Sequence, residues 1–169
     1  NGNELRNLLY TALEYKDGPF AIRYPKASSE EFDQNLQAEL LLIGSWEVLQ
    51  NGNDVAILAV GPLTYLALEA SEELKKLDIS CEVVNCRFIK PMDENYLEFM
   101  LEKFSSVLTI EEGVRSGGFG EGVLSWLSSN NYKGNSSIIS LPDKFVEHGP
   151  RDLLLEKWGI NKEQIIKTV

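Results

Sequence analysis

From about Leu40 onward, short apolar runs alternate with longer stretches in which apolar residues recur at helical spacing. This alternation limits the fold more than any other feature of the chain. Val55–Val60, Ser80–Cys86, Ser106–Ile110 and Ser137–Leu141 read as strands. Apolar strands alternating with amphipathic helices are the signature of a layered α/β domain with a mostly parallel sheet. Trp46–Leu49 reads as one more strand, and the tight-turn residues Asn51-Gly52-Asn53 predict that it pairs with Val55–Val60 as an antiparallel hairpin at a sheet edge. The expected fold class is α/β: a three-layer αβα arrangement around a five-stranded, mostly parallel sheet with one antiparallel edge strand.

The intervening segments predict helices. Gly61-Pro62 opens one over about Leu63–Leu77, with Leu66, Leu68, Ala70, Leu74 and Leu77 on one broad face. Pro91-Met92-Asp93 begins the next, with Asp93 as N-cap and Tyr96, Leu97, Met100, Leu101 and Phe104 turned inward. Gly117–Gly122 leads into a helix through Leu127, Asn130–Asn135 is a polar turn, and two short helices close the chain.

The first part of the chain is different. Asn3–Tyr15 places Leu5, Leu8, Leu9, Ala12 and Leu13 on one helical face, with Asn3 as N-cap, and Gly18-Pro19 ends the helix. Phe20–Tyr24 reads as a short strand stopped by Pro25, and the polar stretch that follows reads as a linker over residues 27–39.

Charge and composition narrow the function. The net charge of −10 opposes binding to a nucleic-acid backbone, and no basic run offsets it. The longest apolar run, Val55–Val60, is far short of the ~20 residues of a membrane span. Cys81 and Cys86 lie at the two ends of one expected strand, too far apart to bridge, which predicts two reduced, mostly buried thiols and a reducing compartment.

Few residues invite a catalytic reading. His148, the only histidine, has no G-x-S-x-G elbow to work with, and one histidine with two strand cysteines does not predict a metal site. Gly117-Gly118-Phe119-Gly120-Glu121-Gly122 stands between a strand and a helix, where phosphate-cradling loops occur, yet its letters match neither the dinucleotide fingerprint nor the P-loop. Glu111, Glu112 and Glu121 flank it and would repel a phosphate, so close packing over glycines is the better expectation. Arg23 and Lys26, beside a proline turn, are cations that could be aimed at an anion.

Four segments carry a resemblance: Asp17-Gly18-Pro19-Phe20-Ala21-Ile22-Arg23-Tyr24-Pro25-Lys26; Arg87-Phe88-Ile89-Lys90-Pro91-Met92-Asp93-Glu94; Glu111-Glu112-Gly113 with Gly117-Gly118-Phe119-Gly120; and Leu141-Pro142-Asp143-Lys144-Phe145-Val146-Glu147-His148-Gly149 with Arg151-Asp152. In this order they resemble the 1-deoxy-D-xylulose-5-phosphate synthases. The resemblance implies that residues 1–26 correspond to the end of that family's pyrimidine-binding domain and 40–169 to its transketolase-like C-terminal domain, with 27–39 between them.

It further implies a homodimeric, cytoplasmic enzyme using thiamine diphosphate and Mg2+ to join pyruvate and D-glyceraldehyde 3-phosphate, with release of CO2. The family's catalytic and cofactor groups lie upstream of residue 1, so the chain alone is expected to be inactive, to bind no cofactor or metal, and to have the missing amino-terminal and pyrimidine-binding domains as its partners. The position of Lys26 is usually arginine in the family and grips the acceptor's phosphate. Lysine keeps the charge and loses the bidentate fork, and Arg23 could assist. Glu112, Gly117, Gly118 and His148 are candidates for a contact or functional loop. A noncatalytic docking or regulatory subunit with a transketolase C-terminal fold is the alternative. A transketolase or a 2-oxoacid dehydrogenase beta subunit shares the fold but is expected to differ in the first and last segments.

Overall fold

The computed structural model describes residues 1–29 and 31–169. In chain order these carry α1 (Gly2–Glu14), β1 (Glu47–Gln50), β2 (Val55–Ala59), α2 (Leu63–Lys75), β3 (Cys81–Asn85), α3 (Glu94–Lys103), β4 (Ser106–Val114), α4 (Phe119–Ser129), β5 (Asn135–Leu141), α5 (Arg151–Lys157) and α6 (Lys162–Thr168). The strands form one five-stranded sheet in the order β1-β3-β2-β4-β5. β3, β2, β4 and β5 run parallel to one another, and β1 is the antiparallel edge strand.

The Asn51-Gly52-Asn53 turn does not make the hairpin its residues suggest. β1 pairs with β3, Glu47 opposite Asn85 and Val48 opposite Val84. Burial decides this: β2 is buried at every position and takes the sheet centre between β3 and β4, which leaves the edge to β1, three of whose four residues are exposed. Gly52 passes so close to the Cys81–Glu82 backbone that a side chain would collide with it, and the Asn53 and Asp54 amides both donate to the Ser80 carbonyl. The glycine therefore serves a chain crossing.

Alternation along the strands feeds two cores. Val55, Ile57, Ala59, Cys81, Val83, Leu108 and Ile110 face α2 and α6, which contribute Leu63, Ala67, Ala70, Leu74 and Ile165. Ala56, Leu58, Val84 and Val107 face the other way, onto Leu97, Met100 and Phe104 of the α3 region and Phe119, Val123 and Leu127 of α4. Each such large side chain contributes about 1.5–3 kcal/mol by leaving water. Leu77, expected on the buried face of α2, lies beyond the helix end and is exposed, because the helix closes at Lys75.

Asp93 caps α3 as the sequence implies, its Oδ1 accepting from the Tyr96 amide at 3.0 Å, while its Oδ2 accepts from the Trp46 amide at 2.8 Å. One buried acid interrupts the second core: Glu82 faces α3 and accepts from the Tyr96 hydroxyl at 2.7 Å and from Lys103 at 2.5 Å. Burial first, and then Glu82, push the Tyr96 hydroxyl far above the usual tyrosine range.

Residues 1–43 are held differently. Asn1, not Asn3, caps α1, accepting from the Glu4 amide at 2.9 Å. Asn3 lies inside the helix, where its Oδ1 accepts from the Asp33 amide at 3.0 Å. Asn7 Oδ1 likewise accepts from the Glu39 amide at 3.1 Å and Thr11 Oγ1 from the Leu41 amide at 2.9 Å, while Arg6 donates to the Asp33 carbonyl at 2.9 Å. Asn3, Asn7 and Thr11 share one helix face by their spacing of four. They hold residues 31–41 alongside α1, running in the same direction. This is the stretch read as a linker, of which Glu30 lies outside the described residues. Phe20–Tyr24 forms no strand, since no neighbouring strand offers it a ladder.

Candidate functional site

Because β3, β4 and β5 are parallel, the chain leaves all three at the same edge of the sheet. Three of the four family-like segments occupy those exits: 87–94 follows β3, 111–120 covers the end of β4 and the start of α4, and 141–152 follows β5. The carboxyl ends of parallel strands are where open α/β sheets present their functional groups.

The glycine turn brings α4 against the end of β4. A Cβ at Gly120 would stand 2.5 Å from Thr109 Oγ1 and 2.9 Å from Ile138, and one at Gly118 would stand 2.7 Å from Glu111 Oε1. Gly117 adopts φ +70°, which favours glycine. Glu111, only 3% exposed, accepts from the amides of Phe119 at 2.9 Å and Gly120 at 2.8 Å, and Glu121 accepts from the Gly117 amide at 2.5 Å. The free amides of a helix start, which elsewhere hold phosphate, are here satisfied by the chain's own carboxylates.

Glu112, next in the strand, turns to the other partner within reach. Arg151 at the start of α5 grips it with both arms, Nε to Oε2 at 3.0 Å and Nη2 to Oε1. The Glu112 hydrogen bond raises the Arg151 pKa. This fork ties α5 to β4 and fixes one end of the turn over residues 142–150. Glu147 and Lys157 pair across the same turn, and the lysine's hydrogen bond lowers the Glu147 carboxyl. Phe145 and His148 stand exposed on this turn.

The first segment reaches the same edge through α1. Asn85, the last residue of β3, donates to Glu4 Oε1 at 2.7 Å. Arg87 lies 3.8 Å from Glu4 and 3.6 Å from Glu47 and donates to the Ser45 carbonyl at 3.0 Å. Burial, the largest influence, pushes the Glu4 carboxyl up. Beyond α1, the Phe20 ring meets Phe88 edge-on at 6.4 Å and Tyr15 at 5.7 Å. Phe88 itself is buried in the second core. Arg23 and Lys26 follow Phe20 and are exposed.

The structure thus brings Glu112, Gly117 and Gly118 together around one turn. Among the described residues, no hydrogen bond, ion pair or ring contact links Arg23, Lys26 or His148 to that turn. The sequence places Glu111, Glu112 and Glu121 where a helix N-terminus favours carboxylates, without saying which amides each takes, and it gives neither Arg151 as the partner of Glu112 nor Phe88 as the seat of Phe20. The acids had a readable signal in their place beside a glycine turn; the ring pair, 68 positions apart by number, had none.

Among the described residues no three His, Cys, Asp or Glu side chains converge to hold a metal ion. Cys81 and Cys86 are free and buried. Burial raises both thiols, Cys81 to about 11. No helix among the described residues is long and apolar enough to cross a membrane.

Residues 44–165, from the approach to β1 into α6, match the family model described as transketolase, C-terminal domain. The chain belongs to the transketolase C-terminal domain family. It is 42% identical over 170 aligned positions to the 1-deoxy-D-xylulose-5-phosphate synthases of Bacillus cereus strain AH187 and Bacillus anthracis strain A0248, and 41% identical to that of Bacillus cereus strain B4264. Each alignment covers 99% of this chain and 27% of the relative, so the chain spans about a quarter of the length of these proteins.

A solved structure described as a split gene transketolase, inactive beta4 tetramer, superposes with a TM-score of 0.72 at 32% identity, over 82% of this chain and 44% of that one. The five-stranded mixed sheet flanked by helices is the transketolase C-terminal α/β fold.

Proposed function

We propose that this chain is the C-terminal part of a 1-deoxy-D-xylulose-5-phosphate synthase, a thiamine-diphosphate-dependent transferase that condenses pyruvate with D-glyceraldehyde 3-phosphate and releases CO2. The observation that carries this reading is similarity at 42% identity along 99% of the chain, a span that takes in all four family-like segments. In this reading residues 1–26 end the pyrimidine-binding domain, 27–39 connect, and 40–169 form the C-terminal domain of a cytoplasmic homodimer, packed against the upstream domains.

The chain's own residues do not fit thiamine diphosphate and its metal. The amides at the start of α4 are taken by Glu111 and Glu121, whose charge opposes a diphosphate, and no metal-binding cluster stands nearby among the described residues. Cofactor chemistry belongs to upstream domains. The chain's contribution is one or two cations: Lys26, with Arg23 beside it, holds the acceptor's phosphate as a point charge.

The test uses the polypeptide that carries this chain in its cell, isolated with an antibody against the chain. With thiamine diphosphate and Mg2+ it is expected to form 1-deoxy-D-xylulose 5-phosphate; absence of product overturns the reading. Lys26→Ala is expected to raise KM for D-glyceraldehyde 3-phosphate by about tenfold, the loss of roughly one charge-assisted contact. If the variant instead abolishes pyruvate decarboxylation with aldehyde affinity unchanged, the role given to Lys26 is wrong.

A second reading, a noncatalytic subunit, is favoured by one observation: the solved relative is described as the product of a split gene and as inactive in its beta4 form. The mass of the isolated polypeptide separates the two. Roughly four times 19.0 kDa supports the synthase, as the 27% coverage implies, whereas a single 19.0 kDa species supports the separate subunit.

A further inference from the structure

We propose that Phe88 is a positioning residue for the phosphate-holding cations: it seats Phe20, and through Phe20 it fixes the segment that carries Arg23 and Lys26. This inference rests on the functional reading above and adds to it a route by which the C-terminal domain controls recognition of the acceptor.

Arg23 and Lys26 are exposed on a stretch with no helix or strand of its own. Regular hydrogen bonding therefore cannot hold their backbone, and a phosphate grip on such a stretch would be loose unless something else anchors it. An anchor just upstream is Phe20, whose ring packs against the second core and meets the Phe88 ring edge-on, at 6.4 Å and 78°.

Phe88 is rigid for its own reasons. It is 6% exposed, it lies three residues past the end of β3, and its carbonyl accepts from the Trp46 indole at 2.7 Å. Its neighbour Arg87 is fixed to Ser45 by two hydrogen bonds, at 3.0 and 2.9 Å. Glu4 in turn is held by Asn85, so the same stretch of chain, 85–88, grips both the start of α1 and Phe20, six residues past the helix end.

From Phe20 to Arg23 and Lys26 the chain spans three and six residues, at most about 10 and 20 Å when extended. The cations are thus within short reach of the anchor. Two segments recognisable by sequence, 17–26 and 87–94, meet at this ring pair, which gives the second of them a task other than starting α3. Displacements of about 1 Å in a positioning group are enough to cost large factors in turnover of the affected substrate.

The experiment compares D-glyceraldehyde 3-phosphate with unphosphorylated D-glyceraldehyde as acceptor in the intact enzyme, at saturating pyruvate, with amide hydrogen exchange of residues 19–26 read in parallel. Phe88→Ala is expected to lower the ratio of kcat/KM, phosphorylated over unphosphorylated, about tenfold, through KM, and to speed exchange in residues 19–26. Phe88→Tyr, which keeps the ring, should restore both. Where Phe88→Ala fails to fold, Phe20→Ala removes the same contact from its half-buried side and decides the matter.

A drop in both acceptors by the same factor, or no change in the ratio, overturns the positioning role. Faster exchange at 19–26 in an enzyme that makes no product even as wild type would leave the anchor standing and remove the functional reading, and with it the role for phosphate. Unchanged exchange would remove the anchor itself.

Discussion

Residues 1–43 and the sheet domain that follows differ in what holds them, although Leu8, Phe20 and Leu41 of the first region pack against the second core. In α1 only Gly2 and Thr11 are buried, and the segment beside it is held by side chains bonding to backbone: Asn3 to Asp33, Asn7 to Glu39, Thr11 to Leu41. In the sheet domain, β2 and β3 are buried throughout and two apolar cores close on either face. Apolar burial is non-directional and sums over many contacts, so it tolerates small shifts. A hydrogen bond to a backbone amide is worth about 1 kcal/mol net, and only when the geometry is right. The first region is therefore the one whose order depends on each residue separately.

The largest effect expected is in the sheet domain. Leu97, fully buried on the inner face of α3, should cost about 2–5 kcal/mol when replaced by alanine, and denaturant titration should show the whole domain unfolding at lower concentration. A loss confined to the α3 region would show that the second core does not act as one unit.

Next comes Glu111→Ala. It strips two amides of a buried acceptor, at Phe119 and Gly120, and is expected to cost about 2–3 kcal/mol in the same titration. Glu111→Gln should recover part of this, since one amide oxygen can still accept. Equal losses in the two variants would show that filling space, and not capping α4, is what Glu111 does.

The comparison between regions is sharpened by Thr11→Val, which deprives the Leu41 amide of its acceptor at similar volume. The expected cost is about 1–2 kcal/mol, seen as faster hydrogen exchange in residues 31–41 with exchange in β2 and β3 unchanged. If the strands exchange faster as well, the two regions are one cooperative unit.

The smallest effect concerns Glu4. Its carboxyl has a raised pKa, chiefly from burial, so the folded state binds a proton more tightly than the unfolded chain does. Its contribution is therefore fully present below the ordinary value of 4.5 and is lost as pH rises through the raised value. Glu4→Gln, which keeps an acceptor for Asn85, is expected to raise stability at pH 7 and to flatten the pH dependence above pH 4.5. A clear loss at pH 7 would mean that the contact with Arg87 outweighs burial.

How much was legible follows the same divide. The strands of the sheet domain, the Asp93 cap and the antiparallel edge strand came from pattern alone, because alternation and capping are local. The partner of that edge strand did not: the Asn-Gly turn favours β2, and only the competition of all strands for the sheet centre assigns β1 to β3. At the site, the four family-like segments could be listed from sequence, but their meeting could not. Three are gathered by parallel strands ending on one side, and the first joins them through Phe20 on Phe88, with α1 before it held by Glu4 on Asn85.

The sequence by itself determined the α/β class, the family, and the candidate cations Arg23 and Lys26, because periodicity, turn chemistry and recognisable segments are properties of neighbouring residues. Only the tertiary structure decided that the glycine turn is closed by Glu111 and Glu121, that Glu112 belongs to Arg151, and that the polar residues of α1 hold a returning strap. Those pairings depend on which distant side chains arrive within about 3 Å, and for polar groups that distance separates a bond from none.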